Sequence, residues 1–87
     1  MQVISNPKEW FVYLLRCRDN SLYCGISTNL AHRLKEHSQG YGSKYVASRL
    51  PVELVYSEPA ENRSIASKRE YQLKQLTKQE KEVLICK

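Results

Sequence analysis

The stretch Trp10-Phe11-Val12-Tyr13-Leu14-Leu15, then Arg16-Cys17-Arg18-Asp19-Asn20-Ser21, then Leu22-Tyr23-Cys24-Gly25-Ile26 decides the fold. Its first run is aromatic and branched, its middle carries the turn formers Asp19-Asn20-Ser21, and its last run is again apolar. That is the pattern of a β-hairpin. Strands joined so tightly pair antiparallel, because a parallel pair needs a crossover of a dozen or more residues.

Beyond the hairpin, Ser27 or Thr28 is placed to accept the free amides of a helix start, and Leu30, Leu34 and His37 recur at helical spacing until Gly40 supplies a stop. This predicts a helix of about three turns. Residues 40–50 read as a loop or short helix with Tyr41, Lys44, Tyr45 and Arg49 interleaved. Pro51 opens a third strand, Val52-Glu53-Leu54-Val55-Tyr56, since proline is tolerated at a strand's first residue. Asn62 is placed to cap a helix running to about Leu76, and Thr77 with Glu80 forms a capping box for a short helix ending in Val83-Leu84-Ile85. The order strand, strand, helix, short helix, strand, helix, helix predicts an α+β fold, a small three-stranded, mainly antiparallel sheet flanked by helices.

At 87 residues the chain is expected to form one domain, residues 1–87, with residues 1–9 as an N-terminal tail. Hydrophobic residues at 41% and charged residues at 26% exclude a disordered or fibrous chain. The net charge of +5 is uneven, about +4 in residues 1–50 and +1 in residues 51–87. Such a field draws phosphate backbones, with binding that weakens steeply as salt rises, although a merely soluble basic surface has the same composition. Cys17, Cys24 and Cys86 are odd in number and form no C-x-x-C pair, so neither a disulfide framework nor a zinc site is implied and a cytoplasmic setting is expected. No apolar run approaches the roughly twenty residues that span a bilayer, so no membrane partner is expected.

Several polar residues fall where apolar ones belong. Ile65, Ala66, Leu73 and Leu76 define a core-facing stripe on the long C-terminal helix, and Glu70 is its midpoint. A carboxylate in an apolar surround calls for a cation, a metal or several donors. The alternative is an edge position that reaches water or pairs with Lys74 one turn on. Arg33 and His37 share a face of the first helix with Leu30 and Leu34, where a guanidinium fork suits phosphate oxygens and an imidazole moves protons near neutral pH. A solvated Arg and a half-buried His would satisfy the same pattern. Tyr13 and Tyr23 lie on adjoining strands, where tyrosines are ordinarily core residues.

Together these residues resemble the GIY-YIG nuclease family. Its two short motifs are matched by Phe11-Val12-Tyr13 and Tyr23-Cys24-Gly25, followed by Ile26-Ser27-Thr28-Asn29-Leu30, by Arg33 with His37, and by Glu70 on a later helix. The similarity runs from about Trp10 to Ile85 and is greatest to small single-domain bacterial members, through Lys44-Tyr45, the strand Pro51–Tyr56 and Arg69-Glu70-Tyr71. Phe11 stands where the first motif has Gly, Ile26 where some members have Lys, and no Asn follows Glu70.

The resemblance implies hydrolysis of phosphodiester bonds in DNA with one divalent metal, Mg²⁺ or Mn²⁺, held by Glu70. It further implies that Arg33 clamps the scissile phosphate, that Tyr13 or Tyr23 orients or deprotonates water, and that His37 accepts a phenolic proton. A phenol of pKa near 10 is about one part in a thousand ionised at pH 7, so the tyrosine needs nearby cations. Gly25 would allow a sharp strand-to-helix turn and backbone approach to phosphate, and Lys44, Tyr45 and Arg49 would hold further phosphates or bases. A monomer acting on branched or damaged DNA, with specificity supplied by shape or by a protein partner, is the expected form. A non-catalytic nucleic-acid-binding module and a protein-interaction domain are the competing readings, and a thiol enzyme using Cys24 and His37 lacks an oxyanion donor or third orienting group.

Overall fold

A computed structural model describes residues 9–87, and the tail expected over residues 1–9 lies outside the described residues except for Glu9. The elements are β1 (Trp10–Arg16), β2 (Leu22–Ser27), α1 (Leu30–Ser38), α2 (Lys44–Ala47), β3 (Glu53–Ala60), α3 (Arg63–Gln75) and α4 (Lys78–Ile85). The strands form one sheet in the order β2-β1-β3, and both pairings are antiparallel. This is the α+β arrangement that the hairpin and the element order imply.

The central strand β1 is covered on both faces. Val12 and Leu14 pack with Cys24, Ala60, Ala66 and Leu73 beneath α3, whereas Tyr13 and Leu15 pack with Cys17 and Val46 on the side of α1 and α2. Two covered faces explain an apolar run without alternation. In the hairpin turn Asn20 takes a φ of 69°, which its short polar side chain tolerates, and the Asp19 carboxylate accepts the Ser21 amide at 3.0 Å.

β3 runs farther than the expected Val52–Tyr56 and includes Pro59, which pairs opposite Phe11. An edge strand has ladder partners on one side only, so a residue without an N–H is accommodated there. Leu14 faces Tyr56 while Leu15 faces Leu54, so Val55 is the extra residue of a bulge.

Asn29, rather than Ser27 or Thr28, caps α1: its side chain accepts the His32 amide at 3.0 Å, while the Ser27 hydroxyl accepts the Asn29 amide at 2.9 Å. Gly40, at φ +88°, turns the chain after α1 as expected, and Asn62 and the Thr77–Glu80 capping box start α3 and α4 as expected.

The roll of α3 departs from the predicted stripe. Ala66 and Leu73 are buried and Glu70 is half-buried, but Ile65 is 41% exposed. Arg69 sets this roll by donating from Nε to Glu58 on β3 at 2.9 Å, where Glu58 also accepts the Tyr56 hydroxyl. Arg16 at the end of β1 holds α4 through a two-pronged pair with Glu82, both bonds 2.7 Å. Among the described residues no helix is long and apolar enough to cross a membrane.

Candidate active site

Tyr13 of β1 and Gly25 of β2 are register partners, and the phenol ring lies over the glycine. A Cβ at position 25 would stand 2.6 Å from Cζ of Tyr13, closer than atoms can pack. Gly25 is therefore required by the ring above it. It sits inside β2, which continues to Ser27, so the sharp turn expected at this glycine is not where it acts.

From α1, His37 brings Nε2 to 3.0 Å from the Tyr13 hydroxyl. The imidazole is wholly buried, and among the described residues its Nδ1 has no partner. Gly42 closes over the ring, since a Cβ there would lie 2.7 Å from His37 Cγ. The Gly42 carbonyl also accepts from Arg33 at 3.2 Å, while the other guanidinium nitrogen donates to Glu36 at 3.1 Å. One glycine thus seats both Arg33 and His37. Sequence reasoning missed it; the available signal was a second glycine just after Gly40 had already supplied the helix stop.

Burial dominates the electrostatics of the pair. It pushes the Tyr13 phenol above its ordinary pKa, with the Arg33 guanidinium beside it pulling less strongly the other way. It also holds the His37 imidazole below its ordinary value, helped by the positive charge of Arg33. Phenol and imidazole are both neutral at pH 7, and moving a proton from Tyr13 to His37 would create a buried ion pair. Arg33 is a nearby cation of the kind a reactive phenol needs, but its pull is weaker than desolvation.

Tyr23 touches the same imidazole edge-on, with centroids 5.3 Å apart, and stacks on Tyr45 at 6.1 Å with 26° between planes. Arg49 lies 3.8 Å over the Tyr45 ring and donates to Asp19, to the Tyr45 carbonyl and to the Ser48 hydroxyl, each at 3.0 Å. The expected phosphate ligand Arg49 is thus already engaged in bracing α2 against the hairpin turn. Tyr45 is likewise part of a stack, not a bare platform for a base, and Lys44 stands exposed at the start of α2.

The structure therefore gathers Tyr13, Tyr23, Arg33, His37 and Tyr45 on one face of the sheet. Glu70 is not among them: it comes from α3, on the other face, and pairs with Lys74 at 3.4 Å. The two layers approach each other around β2, an edge strand. There a hollow is lined by Tyr23 and Tyr45 from one side, Lys74 and Lys81 from the other, with Leu22 and Cys24 of β2 between. Cys24 feels Glu70 directly: burial first, and then the Glu70 charge, push its thiol up to about 11. A thiol held so far from ionisation is a poor nucleophile, which removes the thiol-enzyme reading.

Among the described residues no group of three or more His, Cys, Asp or Glu side chains forms a ready-made metal cage. Magnesium commonly takes one or two carboxylates and completes its shell with water and substrate phosphate. A single carboxylate at Glu70 fits that mode, provided that Lys74 yields it.

The chain matches the GIY-YIG catalytic domain over residues 9–82. A UPF0213 protein of Desulfotalea psychrophila is 52% identical to it, with 98% of this chain and 82% of the relative covered, and one of Vibrio cholerae is 48% identical over 92% and 80%. The solution structure of protein EF2693 from E. faecalis superposes with a TM-score of 0.64 at 40% identity, covering 94% of this chain and 88% of that one. The UPF0213 protein BH0048 of Bacillus halodurans superposes with a TM-score of 0.58 at 36% identity, over 90% and 83% of the two chains. The match over nearly all its length, with relatives about half identical to it, shows that this chain belongs to the GIY-YIG nuclease domain family, with UPF0213 proteins as its relatives.

Proposed function

We propose that this chain is a cytoplasmic DNA endonuclease of low sequence specificity or of structure selectivity, hydrolysing phosphodiester bonds with one divalent cation, Mg²⁺ or Mn²⁺, at Glu70. The observation that supports it most is the Tyr13–His37 pair, buried beneath Gly25 and Gly42 at spacings that leave no room for a Cβ at either. Backbone fitted this closely to a phenol and an imidazole holds them within a narrow geometry, as positioning for catalysis requires.

In this reading Arg33 turns its fork from Glu36 to the scissile phosphate. Tyr13 or Tyr23 orients the attacking water, and His37 fixes the Tyr13 hydroxyl. When bound at Glu70, the cation supplies polarisation of a phosphate oxygen and charge for the leaving alkoxide. The chain acts as a monomer, and shape or a protein partner supplies the choice of site.

The test incubates the protein with flaps, Holliday junctions, nicked duplex and single strands in Mg²⁺, Mn²⁺ or chelator. Metal-dependent products that vanish in Glu70→Ala and Arg33→Ala, with the fold retained, are expected. A second reading, a nucleic-acid-binding module without catalysis, is favoured by the lysine on Glu70 and the upward shift of Tyr13. Salt-sensitive binding without product under every metal condition would select it.

A further inference from the structure

The hollow beside β2 carries two lysines that the cleavage chemistry does not use. About 290 Å³ in volume, it is lined by Leu22, Tyr23, Cys24, Tyr45, Lys74 and Lys81. Two lysines from different helices converge on it with two tyrosines, and among the described residues no acid is in its wall. Lys81 is half-buried and, among the described residues, forms no ion pair. A partly desolvated ammonium without a counter-charge favours an anion from outside.

The hollow also adjoins the reaction site, because Tyr23 belongs to both: its ring touches His37 on one side and Tyr45, across the hollow's wall, on the other. Lys74 links the hollow to Glu70, one helical turn away. We propose that the hollow seats a backbone phosphate next to the scissile one, held by Lys81 and by Lys74 after Lys74 leaves Glu70. The proposal rests on the nuclease reading and extends it. One entering strand would place its neighbouring phosphate on Lys74 and release the Glu70 carboxylate to the cation, so strand binding and metal binding assist each other.

The test measures binding of a fluorescent nicked duplex in chelator across a salt series, for the unaltered protein, Lys81→Gln, Lys74→Gln and Lys68→Gln. Lys68 is two residues from Ala66, about 200° around α3, and exposed, so it serves as the control. Lys81→Gln and Lys74→Gln are each expected to bind several-fold more weakly, with the slope of log K against log salt reduced by about 1. Lys74→Gln is also expected to need less metal for cleavage, because Glu70 loses its competitor. Variants that bind like the Lys68 control while the unaltered protein binds and cleaves would overturn the phosphate seat alone. An unaltered protein that neither binds nor cleaves DNA would overturn both readings. Lysine-dependent capture of an acidic peptide, with DNA binding independent of the two lysines, would reassign the hollow to a protein partner.

Discussion

The Tyr13 hydroxyl lies 3.0 Å from Nε2 of His37, while Nδ1 of the same buried ring meets no partner among the described residues. If Tyr13 were the donor, the neutral imidazole would carry its proton on Nδ1, an orphaned and wholly buried N–H. If Nε2–H donates, the Nδ1 lone pair goes unmet and the phenolic hydrogen loses its acceptor, a cost that ends when the phenol ionises. His37 is therefore expected to donate from Nε2 to the ionised Tyr13, as a positioning residue that stabilises a phenolate. Nitrogen chemical shifts of His37 followed from neutral into alkaline pH check this. Tyr13→Phe, which removes the one hydrogen-bond partner of the ring, should destabilise the fold by about 1–3 kcal/mol in chemical denaturation.

The same burial sets the pH profile of cleavage. A phenol raised above its ordinary pKa gains phenolate about tenfold per pH unit until that raised value is reached. If Tyr13 is the base, kcat/KM at saturating metal should climb steadily from neutral pH into the alkaline range. His37, held below its ordinary value and neutral throughout, should add no plateau there. A rate that levels off just above neutrality would assign the base to another group.

Gly25 and Tyr13 should behave as one unit. Gly25→Ala forces a methyl into the space of the Tyr13 ring and is expected to cost about 1–3 kcal/mol, together with cleavage. Tyr13→Leu removes the ring. The double variant Tyr13→Leu/Gly25→Ala should therefore be more stable than the sum of the single effects allows, a coupling that thermal or urea unfolding of all four proteins measures. Strict additivity would mean that the strand absorbs the methyl elsewhere.

What the sequence disclosed was governed by short-range chemistry. The hairpin, Asn62, the Thr77–Glu80 box and Gly40 depend on neighbours a few residues away, and they were legible. Pro59 concealed the length of β3, because its tolerance depends on the strand lying at an edge. Ile65 resembled core because the roll of α3 is fixed by Arg69 reaching Glu58 across eleven residues. Tyr13, Tyr23, Arg33 and His37, scattered along the chain, lie together on one sheet face. Gly42, the bracing of Tyr45 by Arg49, and the placement of Glu70 on the other layer depend on three-dimensional packing that no local pattern encodes.

The anchor of α4 yields a prediction about acid stability. Arg16 and Lys78 hold the Glu82 carboxyl down at about 2, against an ordinary 4.5. A depressed carboxylate contributes stability that is fully present above the unfolded value and is lost as pH falls through the folded one. The melting temperature of the unaltered protein should thus fall between about pH 4.5 and 2 more steeply than that of Glu82→Gln, whose amide still accepts from Arg16 but does not titrate. The two curves should converge near pH 2, where the native carboxylate is itself half protonated. Parallel curves across that window would show that the pair, though closely formed, does not link α4 to the acid transition.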